Sequence, residues 1–332
     1  MRSSFFSSLV NGPFGDPALF VRAAHRGEAI LFDCGDLHPL SGRDLLKIQH
    51  VFISHAHIDH LIGFDHLLRH HLYRPTCLNF YGPRGIIEHL SHRLAGYTWN
   101  LVEGYPLEIR VREAADEQPG RQARFRASEG FARRDEAPPP NNNGLVCETL
   151  HYRVRTRPLR HGNIVSQAYT LEEKLHVAIH PDALDRLGYA RGRWLTRFKD
   201  LLREGAADDT LIEVPQTNGG APRELPLSRL SAEIAHCQKG MKIAYITDCE
   251  PREENYVRIL DLAQGADLLA IEAVFAHEDL ARARERNHLT ARIAGELAHR
   301  AGAGKLLPFH HSPRYQDQPQ RLQEEALSFF SG

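Results

Sequence analysis

The chain lacks several features that would assign it to a familiar class. No apolar stretch is long enough to cross a membrane, and the opening segment, residues 1–10, is too short and too polar for a secretory signal. The five cysteines are odd in number, scattered, and form no CxxC pair, which argues against a disulfide framework and against a cysteine-type zinc site. We therefore expect a reduced, cytoplasmic protein without a membrane segment.

The chain also has almost no net charge. Its 41 Lys and Arg residues nearly balance 42 Asp and Glu residues, which leaves a formal net charge of −1. Because there is no general basic field, any binding of nucleic acid must depend on a local basic patch. The hydrophobic content of 42% is ordinary for a globular protein, and 332 residues are enough to bury a large core.

Histidine is plentiful, with 21 copies, and the sequence His-Ala-His-Ile-Asp-His places four potential metal ligands within six residues. This run directly follows a strand-like segment, residues 51–54. In a tightly turning segment, His55 and His57 can face one ion while Asp59 and His60 face another. Two ions a few ångströms apart can activate a water and clamp a phosphate or carbonyl, so the run favours a two-metal hydrolase over a chance cluster.

Further ligands are needed for two ions, and three candidates follow strand-like runs. These are His161, Asp248 and His310. Each alone is more typical of a turn or a surface group, but three such residues at strand ends favour a shared site. Together they complete two sets: His55, His57 and His161 for one ion, and Asp59, His60 and His310 for the other. Asp248 can bridge the two sets, because a carboxylate has two oxygens.

The remaining pattern predicts an α/β protein, in which strand-like runs alternate with helical segments and short loops. We expect a charged and Pro/Asn-rich surface loop at residues 129–143, and a turn-rich segment at 219–230. Residues 181–205 are helical and basic, with Trp194 and Phe198 one helical turn apart. This segment is either a solvated helix pair with a packed aromatic face, or an insertion that holds substrate.

The ordered motifs resemble those of the metallo-β-lactamase superfamily. After HxHxDH come Leu-Arg-His-Gly ending at Gly162, Thr-Asp at Asp248, and HxSxRY ending at Tyr315. Within the superfamily the chain is similar to the ribonuclease Z branch of tRNA 3′-end-processing phosphodiesterases. The features that indicate this branch are the HxSxRY ending and a Glu–His pair, Glu272 and His288. The resemblance covers about residues 10–320.

The resemblance implies a four-layer αββα sandwich with a small helical insertion, formed by a single domain over residues 1–332 and usually found as a homodimer. It places His55, His57, His161 and Asp248 on one Zn²⁺, and Asp59, His60, Asp248 and His310 on the other. His311 is the alternative for the last ligand, and Mn²⁺ or another divalent ion is an alternative to zinc. The resemblance further implies that Asp59 orients the attacking water, and that His288, held by Glu272, donates a proton. It also implies that four residues bind the substrate: Ser312, Arg314, Arg191 and Arg193.

The function implied is hydrolysis of a phosphodiester in a precursor tRNA by a metal-bridging hydroxide. The family's RNA-gripping arm has a Gly-Pro-rich tip, whereas the matching segment here, residues 189–194, has Gly and Arg but no Gly-Pro pair. A small or cyclic nucleotide ester is therefore an alternative substrate. Hydrolysis of a lactone, thioester or β-lactam leaves the Glu272–His288 pair without a role, and a non-catalytic nucleic-acid-binding relative would not need all seven ligands. Arg314 has two alternative roles, in offsetting phosphate charge and in a structural ion pair.

Overall fold

The computed structural model describes residues 4–24, 26–114, 120–137 and 143–331. The strands are β1 (Phe5–Leu9), β2 (Leu19–Ala23), β3 (Ala29–Phe32), β4 (Ile48–Phe52), β5 (Cys77–Gly82), β6 (Glu108–Glu113), β7 (Gln122–Arg126), β8 (Arg134–Glu136), β9 (Leu145–Glu148), β10 (Tyr152–His161), β11 (Ile164–Glu173), β12 (His176–Ile179), β13 (Leu211–Val214), β14 (Arg223–Pro226), β15 (Ala235–Gln238), β16 (Lys242–Ile246), β17 (Leu268–Glu272) and β18 (Leu306–Phe309). The α-helices are α1 (Gly42–Leu45), α2 (Phe64–His71), α3 (Ile86–Ala95), α4 (Pro181–Leu187), α5 (Trp194–Glu204), α6 (Leu227–Ile234), α7 (Glu253–Ala263), α8 (Leu280–Arg286), α9 (Ala291–Arg300) and α10 (Arg321–Phe330).

Two sheets carry most of the strands. The first has the order β1-β2-β3-β4-β5-β6-β7-β8, and its central strands β3 to β6 pair in parallel. The second has the order β18-β17-β16-β11-β10-β9, with β16, β17 and β18 parallel. All four residues of β3, Ala-Ile-Leu-Phe, are buried, as expected for a central parallel strand that is covered on both faces.

Aromatic side chains fill the space between the two sheets. Phe32 of the first sheet stacks on Tyr245 of the second, with ring centroids 5.6 Å apart, and Phe52 lies 5.5 Å from Tyr169. The outer face of the first sheet is covered by α2 and α3, and the outer face of the second by α7 and α9. The layers therefore run helix, sheet, sheet, helix, and the predicted αββα sandwich is confirmed.

The chain divides into two compact units. The first comprises residues 1–147, 154–171 and 242–332, and it contains the sandwich. The second comprises residues 148–153 and 172–241; it contains the antiparallel pairs β12–β15 and β13–β14 together with α4, α5 and α6. The basic segment 181–205 forms α4 and α5 of this second unit. Trp194 and Phe198 are buried in the unit's own hydrophobic core, so the aromatic face of α5 is a packing face.

Two segments differ from the sequence-based prediction. Residues 219–230, expected to be turn-rich, include β14 and the start of α6, because Leu225, Leu227 and Leu230 are buried in the core of the second unit. The loop expected at 129–143 contains β8, a charged strand at the edge of the first sheet; such a strand has no apolar alternation to reveal it. Residues 138–142 of that loop lie outside the described residues. No described helix is long and apolar enough to span a membrane.

Candidate metal centre

The candidate ligands follow the ends of strands in the first unit. β4 leads through Ser54 into the HxHxDH run, whose last residues form a short 3-10 helix, Ile58–His60. His161 is the last residue of β10, and Asp248 and His310 lie just beyond β16 and β18. Because β16 and β18 are parallel members of one sheet, their carboxyl ends reach the same edge, which brings these distant residues together.

All seven sequence-predicted ligands lie in one cluster. One group contains His55, His57, His161 and Asp248, and another contains Asp59, His60 and His310; the candidate ligand atoms in each group lie within 4.8 Å of one another. The Asp248 carboxylate reaches both groups. Its Oδ2 lies 3.5 Å from His55 Nε2 and 3.5 Å from His60 Nε2, and its Oδ1 lies 2.8 Å from His310 Nδ1. This is the position that a bridging carboxylate requires.

His310, rather than His311, faces the cluster. The Nδ1 atom of His311 lies 2.8 Å from the Ala273 carbonyl oxygen, and its ring packs edge-on against Phe14. Burial lowers the pKa of His311 to about 4. His311 therefore supports the chain behind the site, and the candidate ligand groups contain His310 instead.

The donor set fits divalent ions of the zinc type. Imidazole nitrogens and carboxylate oxygens are the ligands that zinc prefers, and they also admit manganese. The Nε2 atom of His60 is fully buried and makes no hydrogen bond. A buried imidazole nitrogen without a hydrogen bond is costly unless something accepts its lone pair, and a metal ion does so.

Asp33 was not among the predicted site residues, although it lies at the base of the cluster. Its buried carboxylate accepts hydrogen bonds from the Ser54 backbone N–H at 2.6 Å, from the Ser54 hydroxyl at 2.8 Å and from the Tyr245 hydroxyl at 2.8 Å. His60 Nδ1 lies 2.8 Å from the same carboxylate. A proton held on Nδ1 leaves Nε2 free for a metal. The available signal was an Asp that directly follows the buried strand β3, the same pattern that singled out Asp248.

The buried Glu272 and the partly buried His288 form a pair beside the cluster. Their atoms Oε2 and Nδ1 are 2.8 Å apart, while Glu272 Oε1 accepts hydrogen bonds from the backbone N–H groups of Cys249 and Leu289. Burial by itself would lower the pKa of His288, but the Glu272 carboxylate raises it more, and the net shift is upward. The rings of His288 and His161 lie 5.2 Å apart, so the pair is within reach of a ligand held by the cluster.

The backbone at the site has an uncommon conformation. Among the described residues, six that are not glycine have a positive φ angle, and four of them belong to this region: Asp33 (56°), Asp248 (44°), Asn287 (61°) and His310 (59°). Asp, Asn and His tolerate this left-handed conformation better than most residues. It turns the chain sharply after a strand or helix and directs the side chains into the site.

The four predicted substrate-binding residues are divided between the two units. Ser312 lines a cleft next to His310 and His288. Arg314 lies 3.5 Å from Asp279 and over the Tyr315 ring, which supports the structural alternative for this arginine. The other two residues, Arg191 and Arg193, are exposed in the second unit, where Arg191 pairs with Asp185.

Comparisons with known proteins agree with this fold and site. A family model described as a beta-lactamase superfamily domain matches residues 29–157. The structure is similar to the metallo-beta-lactamase fold protein YhfI from Bacillus subtilis, with a TM-score of 0.54 and 16% identity over 98% of this chain and 92% of that one. It is also similar to human tRNase Z, short form, with a TM-score of 0.51 and 19% identity over 94% and 92% of the two chains. The αββα fold and its His/Asp cluster define a metal-dependent hydrolase.

The relatives by sequence specify the family. Ribonuclease Z of Deinococcus radiodurans is 33% identical over 318 residues, which cover 94% of this chain and 91% of the relative. Ribonuclease Z of Bacillus cereus is 31% identical over 317 residues, covering 92% and 86%. The chain belongs to the ribonuclease Z family.

Proposed function

We propose that this protein is an endoribonuclease that removes the 3′ trailer of precursor tRNA with the help of two bound divalent ions. The proposed ion is zinc, and manganese or another divalent ion is the alternative. The observation that carries the proposal is the Glu272–His288 pair, which lies beside a cluster able to hold two ions. A phosphodiester has a leaving oxygen that needs a proton, and this pair supplies one. The names of the relatives, ribonuclease Z and tRNase Z, support RNA as the substrate.

The residues proposed to hold the ions are the seven of the cluster. One ion is assigned to His55, His57, His161 and Asp248, and the other to Asp59, His60, Asp248 and His310. When bound, the ions supply Lewis acidity, which activates a water for attack on phosphorus and offsets charge on the phosphate oxygens. Asp59 is partly exposed at the mouth of the site, where it can orient the attacking water as well as hold an ion.

His288 is proposed to complete the reaction. Its Nδ1 is held by Glu272, so its Nε2 carries the proton that the leaving oxygen receives. The raised pKa keeps this imidazole protonated at higher pH than an ordinary histidine. Cleavage then leaves a 3′-hydroxyl on the RNA and a 5′-phosphate on the trailer.

The protein is proposed to act as a homodimer, as the family resemblance implies.

The second unit is proposed to contribute RNA binding. Arg191 and Arg193 are exposed near the start of α5, while the core beneath them is apolar. Exposed arginines of this kind bind a phosphate backbone. Deletion of residues 181–205 would remove buried Trp194 and Phe198 and unfold the unit, so substitution of the two arginines is the sharper test.

The deciding experiment is cleavage of a 3′-extended precursor tRNA beside bis(p-nitrophenyl) phosphate, with zinc-loaded and manganese-loaded protein. Correctly placed tRNA cutting that disappears in Asp248→Ala supports the proposal. Ester cleavage without tRNA cutting would favour the alternative, a phosphodiesterase for small or cyclic nucleotide esters, which the missing Gly-Pro pair motivates. Failure of both reactions would refute phosphodiester hydrolysis and direct attention to lactones, thioesters and β-lactams.

A further inference from the structure

Two arginines of α8 face the openings of the candidate metal centre. One cleft, of about 340 Å³, is lined by Asp59, His288 and His310 together with Arg282 and Arg286. A second cleft, of about 450 Å³, is lined by His57, His161 and Asp248, and again by His288 and Arg286. Arg286 therefore borders both openings and stands two residues before the proposed proton donor.

The end of α8 is fixed to the site by its cap. Asn287 ends the helix in a left-handed conformation, with φ 61°, and turns the chain into His288. The Asn287 carbonyl oxygen lies 3.0 Å from His161 Nδ1, so one residue both ends the helix and orients a candidate ligand. The position of Arg286 is thus tied to the cluster by its neighbour in the chain.

Both guanidinium groups lack a partner within the part of the chain that the structure describes. Neither Arg282 nor Arg286 makes a hydrogen bond, an ion pair or a ring contact there, and both residues are exposed. The two are four residues apart and share one face of the helix. Arg284 lies on a different face, where its charge slightly offsets the rise that burial causes in the pKa of Tyr256.

The nearby acids do not neutralise this pair. Asp59, Asp248 and Glu272 each face imidazoles of the site. Asp16 and Glu285 also line the clefts, and among the described residues neither forms an ion pair with Arg282 or Arg286. Two unpaired guanidinium groups beside a site for phosphoryl chemistry match an anionic ligand with several phosphates, because guanidinium binds phosphate oxygens in a two-pronged geometry.

We propose that Arg282 and Arg286 bind backbone phosphates of the RNA that adjoin the leaving oxygen. This inference rests on the proposed function. His288 gives its proton to the leaving 3′-oxygen, so the RNA attached to that oxygen must emerge on the His288 side, where the two arginines stand. The contact is made to flanking phosphates, which a small diester does not have.

The test compares Arg282→Ala, Arg286→Ala and the double variant with Arg284→Ala, which removes the same charge from another face of the same helix. Binding of a fluorescein-labelled precursor tRNA is measured by anisotropy over a range of salt concentrations, separately from cleavage. Each single variant at Arg282 or Arg286 should weaken RNA binding about 5–10-fold and reduce the slope of log affinity against log salt by roughly 0.7–0.9, since one phosphate contact is lost. Arg286→Lys should restore most of the slope, and Arg284→Ala should keep wild-type values.

Two results would overturn the inference. One is wild-type affinity and salt slope in the double variant. The other is an equal fold loss in the cleavage of precursor tRNA and of bis(p-nitrophenyl) phosphate. That result would place the arginines on the scissile phosphate instead. Absence of RNA cleavage by the unaltered protein would refute the proposed function, whereas the anisotropy comparison would still decide whether the arginines bind RNA.

Discussion

Asp33 provides the sharpest test of how the core supports the metal centre. We predict that Asp33→Asn weakens zinc binding, because the buried carboxylate accepts four hydrogen bonds and an amide cannot accept them all. If the new NH₂ group occupies the Oδ2 position, it opposes His60 Nδ1–H and pushes the imidazole proton toward Nε2, the atom that faces the cluster. If it occupies the Oδ1 position, it opposes the Ser54 backbone N–H and leaves a buried donor unsatisfied, at a cost of about 1–3 kcal/mol.

The expected loss is about 10–100-fold in zinc affinity, or roughly 1.4–2.7 kcal/mol, as is usual when a partner that orients a ligand is removed. The assay is competition against a chromophoric zinc chelator, and circular dichroism of the metal-free variant verifies the fold. Tyr245→Phe is the matched control: it removes one of the four donors to Asp33 and leaves the carboxylate in place, so affinity should fall less than about threefold. Unchanged zinc affinity in Asp33→Asn would refute the reasoning.

Three other predictions concern separate parts of the molecule. His288→Ala should lower turnover of precursor tRNA by about 10²–10⁴-fold while metal analysis shows wild-type metal content, and normal turnover would refute proton donation. His50 lies in β4, where burial lowers its pKa to about 4. Its contribution to stability is therefore complete above the unfolded-state pKa of about 6.5 and is lost as pH falls toward 4. In His50→Phe, the change in the free energy of unfolding across that pH window should be smaller by about 1–3 kcal/mol, a range that allows for the partial exposure of the ring. Urea unfolding at several pH values measures it, and an unchanged pH profile would contradict the prediction. Phe198→Ala should lower the free energy of unfolding of the second unit by about 3–5 kcal/mol. Hydrogen exchange should then be faster in residues 172–241 and unchanged in β16 and β17, and uniform acceleration would contradict a local effect.

The four-layer sandwich was implied by the resemblance to the metallo-β-lactamase superfamily, whereas the α/β class and the candidate ligands were predicted from patterns in the residues themselves. Buried parallel strands such as β3 and β16 are continuous apolar runs, and the residues that follow them meet at one sheet edge. Asp248 was found by this reasoning. The roles assigned to the seven ligands stay a prediction, although the structure brings their side chains together.

What the sequence missed depends on contacts between distant residues. Asp33 joins the site through contacts with His60, which is 27 positions away, and with Tyr245, which is 212 positions away, and no local pattern reveals either contact. The second unit was predicted only as a helical insertion, because β12 to β15 have four residues each and β12 pairs with β15 across the helices α4 to α6. Arg286 is an ordinary charged residue at a helix end until the fold places it beside His288.

The left-handed residues have a consequence for attempts to engineer this protein. At Asp33, Asp248 and His310 the backbone conformation is one that glycine adopts without strain, and each non-glycine residue there costs on the order of 1 kcal/mol. At Asp33 glycine would also leave four buried donors without their acceptor, at a cost larger than the relief of strain. Substitutions that relieve the strain at Asp248 or His310 would remove a candidate ligand, so a screen for thermal resistance should be run with metal present and activity scored.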